Sequence, residues 1–113
     1  MTQESVIQNT PVPPPTVTLD PAPALRDNPD RDRYELWSGD ELVGLAGYEL
    51  TSEDTMTLLH VVVTEKFGQS GFARLLLSLM FDDLDARGIK AVPVCTYAQQ
   101  FIERFPQYRR SVA

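Results

Sequence analysis

The 113-residue chain is acidic, with a net charge of −6, and carries one histidine and one cysteine. These figures allow one small domain, argue against nucleic-acid binding, which relies on Lys and Arg, and exclude a structural zinc site, which takes about four ligands. With no apolar run of about 20 residues, no signal-peptide pattern and no second cysteine for a disulfide, the expectation is a cytoplasmic protein that enters no membrane.

Seven of the nine prolines fall between positions 11 and 29, with Pro13, Pro14 and Pro15 in a row and few large apolar residues around them. Such a stretch buries too little surface to offset its ordering entropy. Residues 1–22 therefore read as a disordered, proline-rich N-terminal arm, either a plain tail or a ligand for a partner domain. Residues 23–113 read as the folded domain.

A short strand at residues 24–28 stops at the turn signal Asn28-Pro29. Residues 33–38 alternate, with Tyr34, Leu36 and Ser38 on one face and Arg33, Glu35 and Trp37 on the other, and Ser38-Gly39-Asp40 turns the chain into an antiparallel partner over residues 41–50. There Leu42, Gly44, Ala46 and Tyr48 face one way and Val43, Leu45 and Gly47 the other. The small Gly44, Ala46 and Gly47 point to a bulge or to close packing. Residues 55–63 form the next strand, apolar on both sides from Leu58 onward as a central strand is.

A glycine-bearing loop then leads into a helix over residues 71–87, with Leu75, Leu76, Leu79, Met80 and Leu84 on one stripe and Gly88 after its end. Residues 90–95 are a strand parallel to 55–63, joined to it by a right-handed crossover. Pro93 lacks an N–H, which puts this strand at an edge or beside a gap in the pairing. A short helix over residues 97–104 turns Tyr97, Phe101 and Ile102 inward and ends at Phe105-Pro106.

The strand–loop–helix at residues 55–87 carries the chemistry. A helix start presents unpaired N–H groups and a positive dipole end, which together suit phosphate, and Gly71 and Ala73 keep the backbone accessible. The loop matches neither the nucleoside-triphosphate spacing nor the dinucleotide spacing of glycines. His60 is of the residue type that most often serves as a general base, which makes it a candidate for proton transfer. Cys95 is either a buried small hydrophobe or a thiol activated by the helix start beside it.

This element order, with Gly71-Phe72-Ala73 and the block Pro93-x-Cys95-x-Tyr97 through Arg104-x-Pro106-x-Tyr108, resembles the small single-domain GNAT-like N-acetyltransferases over residues 24–112. The resemblance implies a mixed sheet, antiparallel at its N-terminal strands, whose parallel central pair is splayed to admit coenzyme A, with two main helices. It implies acetyl-CoA as co-substrate, an amine acceptor (protein lysine, polyamine or small molecule) and a monomer or weak dimer.

Cofactor contacts would fall to Val61, Val62, Val63, Gly68, Gln69, Ser70, Gly71, Phe72, Ala73 and Tyr97, and catalytic roles to His60 and Cys95. Two features depart from the family pattern. Gly68 stands where Gln or Arg is usual, removing a side-chain contact to phosphate, and Val61-Val62 replaces a common Thr-Glu. A non-catalytic coenzyme A binding module and a thiol sensor using Cys95 are the alternatives.

Overall fold

Alternation along the first strands dictates a hairpin sheet, and the computed structural model, which describes residues 9–113, orders five strands as they occur in the chain. β1 (Ala24–Asn28), β2 (Arg33–Ser38), β3 (Glu41–Ser52) and β4 (Thr55–Val63) pair antiparallel in succession, and β5 (Lys90–Pro93) joins β4 in parallel. The crossover between β4 and β5 is α1 (Phe72–Ala86), and α2 (Thr96–Arg104) follows β5. A 3-10 helix, Pro106–Ser111, brings Val112 to bridge Ala91. The mixed sheet with two main helices is the one expected. Among the described residues no helix is long and apolar enough to cross a membrane.

Both helices pack on one face of the sheet. The core joins Tyr34, Leu36, Ala46, Met56 and Leu58 of the strands to Leu76, Leu77, Met80 and Phe81 of α1 and Phe101 of α2. The buried stripe of α1 is wider than its leucine spacing suggests. Phe72, Leu77 and Phe81 are buried too, whereas Leu75 and Leu79 stay half-exposed. The cause is a second neighbour: Phe81 stacks on Phe101 at 6.1 Å and meets Tyr108 at 5.8 Å, so α1 is covered by the C-terminal helices as well as by the sheet.

The lower end of α1 is tied to the first strands by a polar cluster. Tyr34 donates its hydroxyl to Asp83 at 2.6 Å, Tyr48 donates to Asp27 at 2.7 Å, and Arg87 donates to Asp27, Asp83 and the Tyr34 oxygen. Every polar group there has a partner, which makes the cluster a clamp.

Two strand assignments are corrected. Leu36 opposes Gly44 and Trp37 opposes Leu42, so Val43 is an extra residue that turns into the core instead of sharing a face with Leu45 and Gly47. β5 ends at Pro93, because both Val94 and Cys95 donate to the single Leu58 carbonyl as the chain veers into α2.

Of the proline-rich arm, residues 1–8 lie outside the described residues. Residues 9–22 run along the domain. Val12 and Leu19 pack on the core. The Thr10 N–H donates to Gln107 Oε1 at 3.1 Å and Gln107 Nε2 returns a bond to the Thr10 carbonyl at 2.6 Å. The Thr16 N–H donates to the Ser70 carbonyl at 2.9 Å, and Ser38 Oγ donates to the Pro21 carbonyl at 2.7 Å.

Candidate active site

The site begins with a bulge in β4. Gly47 opposes His60 and Tyr48 opposes Leu58, which leaves Leu59 as an extra residue and resets the alternation of side chains. Met56 and Leu58 point to the core before it; Val61 and Val63 pack on the core after it, and His60 and Val62 turn to the helix-free face. A ladder bond from the Thr64 N–H to the Val43 carbonyl continues the register. By the alternation of antiparallel pairs, Val62 then bonds toward β3, while Val61 and Val63 present their N–H and C=O groups to the other edge. β5 has already left that edge at Pro93. The result is a wedge-shaped gap with unpaired strand backbone along one side.

That gap opens into a cavity of about 480 Å³ lined by Val61, Val63, Phe67, Gln69, Ser70, Gly71, Phe72, Ala73, Arg74, Tyr97 and Thr16. Gly71 caps α1 with φ 89°, a left-handed conformation that only glycine adopts without strain. Residues 69–74 donate no backbone hydrogen bond among the described residues, so the loop and first helical turn offer a run of amides. Arg74 is the third residue of α1, where the helix dipole disfavours a cation. Its Nε is buried without a partner, and among the described residues its guanidinium forms no ion pair. The amides of this loop and the Arg74 guanidinium thus converge on the cavity, an arrangement suited to an anion.

Of the residues expected to hold a cofactor, Val61, Val63, Gln69, Ser70, Gly71, Phe72, Ala73 and Tyr97 share this cavity, whereas Val62 points to the opposite face and Gly68 lies outside the lining. Phe67, Arg74 and Thr16 were not singled out in the sequence. A signal for Arg74 existed: the helix dipole disfavours an arginine in a first helical turn, a cost an anion there would offset.

Tyr97, read above as turning inward, stands at the cavity rim and is 37% exposed; Ala98 takes the buried place beside Phe101 and Ile102. Burial raises the pKa of the Tyr97 phenol, against the opposing charges of Arg74 and Arg104, and keeps it protonated in neutral solution. Cys95 is the N-cap of α2, half-buried and outside the cavity lining.

His60 lies on the other side of the sheet, in an open hollow with Arg31, Asp32, Arg33, Glu49 and Leu59. Its ring rests over Gly47, where any Cβ would collide with the imidazole. The structure thus brings the cofactor candidates together and places the two catalytic candidates apart from them, His60 on the opposite face and Cys95 beyond the rim.

A mixed sheet splayed beside a glycine-capped helix defines the acetyltransferase class, and comparison with known proteins agrees. Residues 33–112 match the model of the GCN5-related N-acetyltransferases, and the chain belongs to that family. It is similar in fold to a GCN5-like protein from Staphylococcus aureus solved by NMR, at 13% identity and TM-score 0.61, covering 80% of this chain and 87% of that one. It is also similar to the ribosomal-protein-S18-alanine N-acetyltransferase of Escherichia coli, at 21% identity and TM-score 0.52, covering 63% of this chain and 48% of that enzyme. This chain thus spans about half the length of the latter. No curated protein matches it in sequence.

Proposed function

We propose that the protein transfers the acetyl group of acetyl-coenzyme A to an amine, binding the coenzyme from the helix side of the sheet and the amine from the bare side. The observation that carries this is the unpaired edge at Val61 and Val63, opening onto the amides of residues 69–74 and the unpartnered Arg74. The edge backbone suits the amides of a pantetheine chain, as a strand edge suits any extended chain. The loop and Arg74 suit a pyrophosphate. Acetyl-coenzyme A supplies an activated thioester, so the protein has to orient it, accept a proton from the amine and stabilise charge on oxygen.

Each task has a residue. An edge amide of Val61 or Val63 donates to the developing oxyanion, Tyr97 protonates the leaving thiolate, and His60 takes the proton of an amine arriving on its face. Cys95, outside the cavity lining, carries no acetyl group.

Binding is tested by titrating coenzyme A while following the melting temperature, and chemistry by transfer of labelled acetyl to a panel of lysine peptides, polyamines and small amines. A melting temperature that rises with coenzyme A, transfer slowed by Tyr97→Phe, and a His60→Ala rate that recovers as pH rises and the amine deprotonates itself are the expected results. No thermal shift at millimolar coenzyme A would refute the reading.

A further inference from the structure

The proline-rich segment ahead of β1 reaches the same cavity. Thr16 lines it, and its N–H donates to the carbonyl of Ser70, in the middle of the glycine loop. The neighbouring Pro15 Cα stands 3.3 Å from where a Cβ on Gly71 would be, and the Arg74 guanidinium packs against the same spot. Gly71, Pro15 and Arg74 therefore meet at one point on the cavity rim. The segment is anchored on both sides of it, by the reciprocal bonds of Thr10 with Gln107 and by the Ser38–Pro21 bond, with Val12 and Leu19 on the core.

We propose that residues 10–16 are the outer wall of the phosphate site, and that Thr16 and Arg74 together take the place of the side chain missing at Gly68. The inference rests on the coenzyme A reading above. A bare carbonyl at Ser70 would repel a nearby phosphate; the Thr16 N–H occupies that carbonyl and leaves the adjacent amides to the ligand. Pro15, wedged at Gly71, holds the guanidinium against the loop and into the cavity. Three consecutive prolines stiffen the segment, so little conformational entropy is lost in keeping this wall in position. The ligand chemistry is a pyrophosphate ester, and the segment makes no claim on the pantetheine end.

The test compares three probes on the full chain by isothermal titration: coenzyme A, ADP, which keeps the pyrophosphate, and pantetheine, which has no phosphate. Three variants are used: deletion of residues 1–17, Thr16→Pro, which removes the N–H together with the threonine hydroxyl and is read against the control Thr16→Val, which removes the hydroxyl alone, and Arg74→Met. Each variant should weaken coenzyme A and ADP by roughly ten- to a hundredfold, the range for a charge-assisted hydrogen bond, and leave pantetheine unchanged.

If the deletion does not fold, Thr16→Pro decides alone. Unchanged or tighter binding of coenzyme A and ADP to Thr16→Pro, with wild-type binding intact, overturns the inference and leaves the coenzyme reading standing. Wild-type protein that binds neither ligand overturns both.

Discussion

Replacing Gly71 by alanine tests the loop geometry and the ligand site with one methyl group. At φ 89° a residue with a Cβ strains the backbone by about 1–2 kcal/mol. The new Cβ would also collide with the Arg74 guanidinium and press on the Pro15 backbone at 3.3 Å. The guanidinium moves cheaply because it ends a flexible side chain, and in moving it leaves the cavity. A loss of about 1–2 kcal/mol lowers the melting temperature of a domain this size by roughly 5–10 °C. A ligand at a hundred times its Kd stabilises by about 2.7 kcal/mol, so the shift produced by coenzyme A in the wild type is easily read and should shrink or vanish in Gly71→Ala. Gly68→Ala is the control: its φ of −64° suits any residue, its Cβ would press only on the Glu65 carbonyl oxygen at 3.3 Å, and the loss should be smaller than in Gly71→Ala, with the coenzyme shift kept. Differential scanning fluorimetry with and without coenzyme A reads both effects. A Gly71→Ala protein with wild-type melting and a full coenzyme shift would refute the geometry argued here.

Three further outcomes are expected. Cys95→Ala should retain acetyl transfer with ternary-complex kinetics, since the thiol lies outside the cavity lining and an acetyl-thioester on it gains no activation; a trapped, competent acetyl-Cys95 with a dead alanine variant would show otherwise. Tyr34→Phe removes a hydroxyl that donates to Asp83 and accepts from Arg87, and should cost about 1–2 kcal/mol in urea denaturation without changing coenzyme affinity. Burial raises the carboxyl pKa of Glu35, but hydrogen bonds from Trp37, Arg33 and Asn28 outweigh it and leave the group below the ordinary carboxylate range. A depressed folded pKa gives stability that is present above the unfolded value and lost as pH falls through the folded one. Glu35→Gln should therefore melt lower at pH 7 and show a flatter decline below about pH 5.

The antiparallel hairpin, the crossover helix with its parallel strand and the edge position of Pro93 were legible because each follows from a local rule: alternation, helical spacing, a missing N–H. Most of the cavity lining was legible too, since Gly71 and Ala73 mark a helix start whose backbone stays accessible. Three things were not. Thr16 reaches the loop through a backbone hydrogen bond across more than fifty positions, and side-chain identity carries no trace of that contact. Val43 breaks alternation through a bulge; the small Gly44, Ala46 and Gly47 pointed to a bulge in this strand but not to the residue at which it falls. Tyr97 sits at the rim because it lies in the first turn of α2, where the helix faces the cavity and not the packed core.

The bulge at Leu59 explains why His60 lies away from the residues beside it in sequence. Without the extra residue, simple alternation from the buried Leu58 would send His60 and Val62 to the helix side and Val61 and Val63 to the bare side. With it, two valines and their outward amides face the cavity, and the histidine faces the opposite way. The bare side is itself divided. Over β1 and β2 it is covered by Arg26 stacked on Trp37 and by Arg33 paired with the buried Glu35. Around the gap, Leu59, Val62, Val92 and Val94 are exposed. Polar side chains thus close the face where the sheet is continuous, and apolar ones leave it open where β4 and β5 part. On the proposed reading, an amine entering there would meet His60 on its own side of the sheet and the edge amides of Val61 and Val63 through the gap. A single inserted residue in β4 thus sets the valine-lined cavity on one face of the sheet and the histidine on the other, the division on which the proposed roles rest.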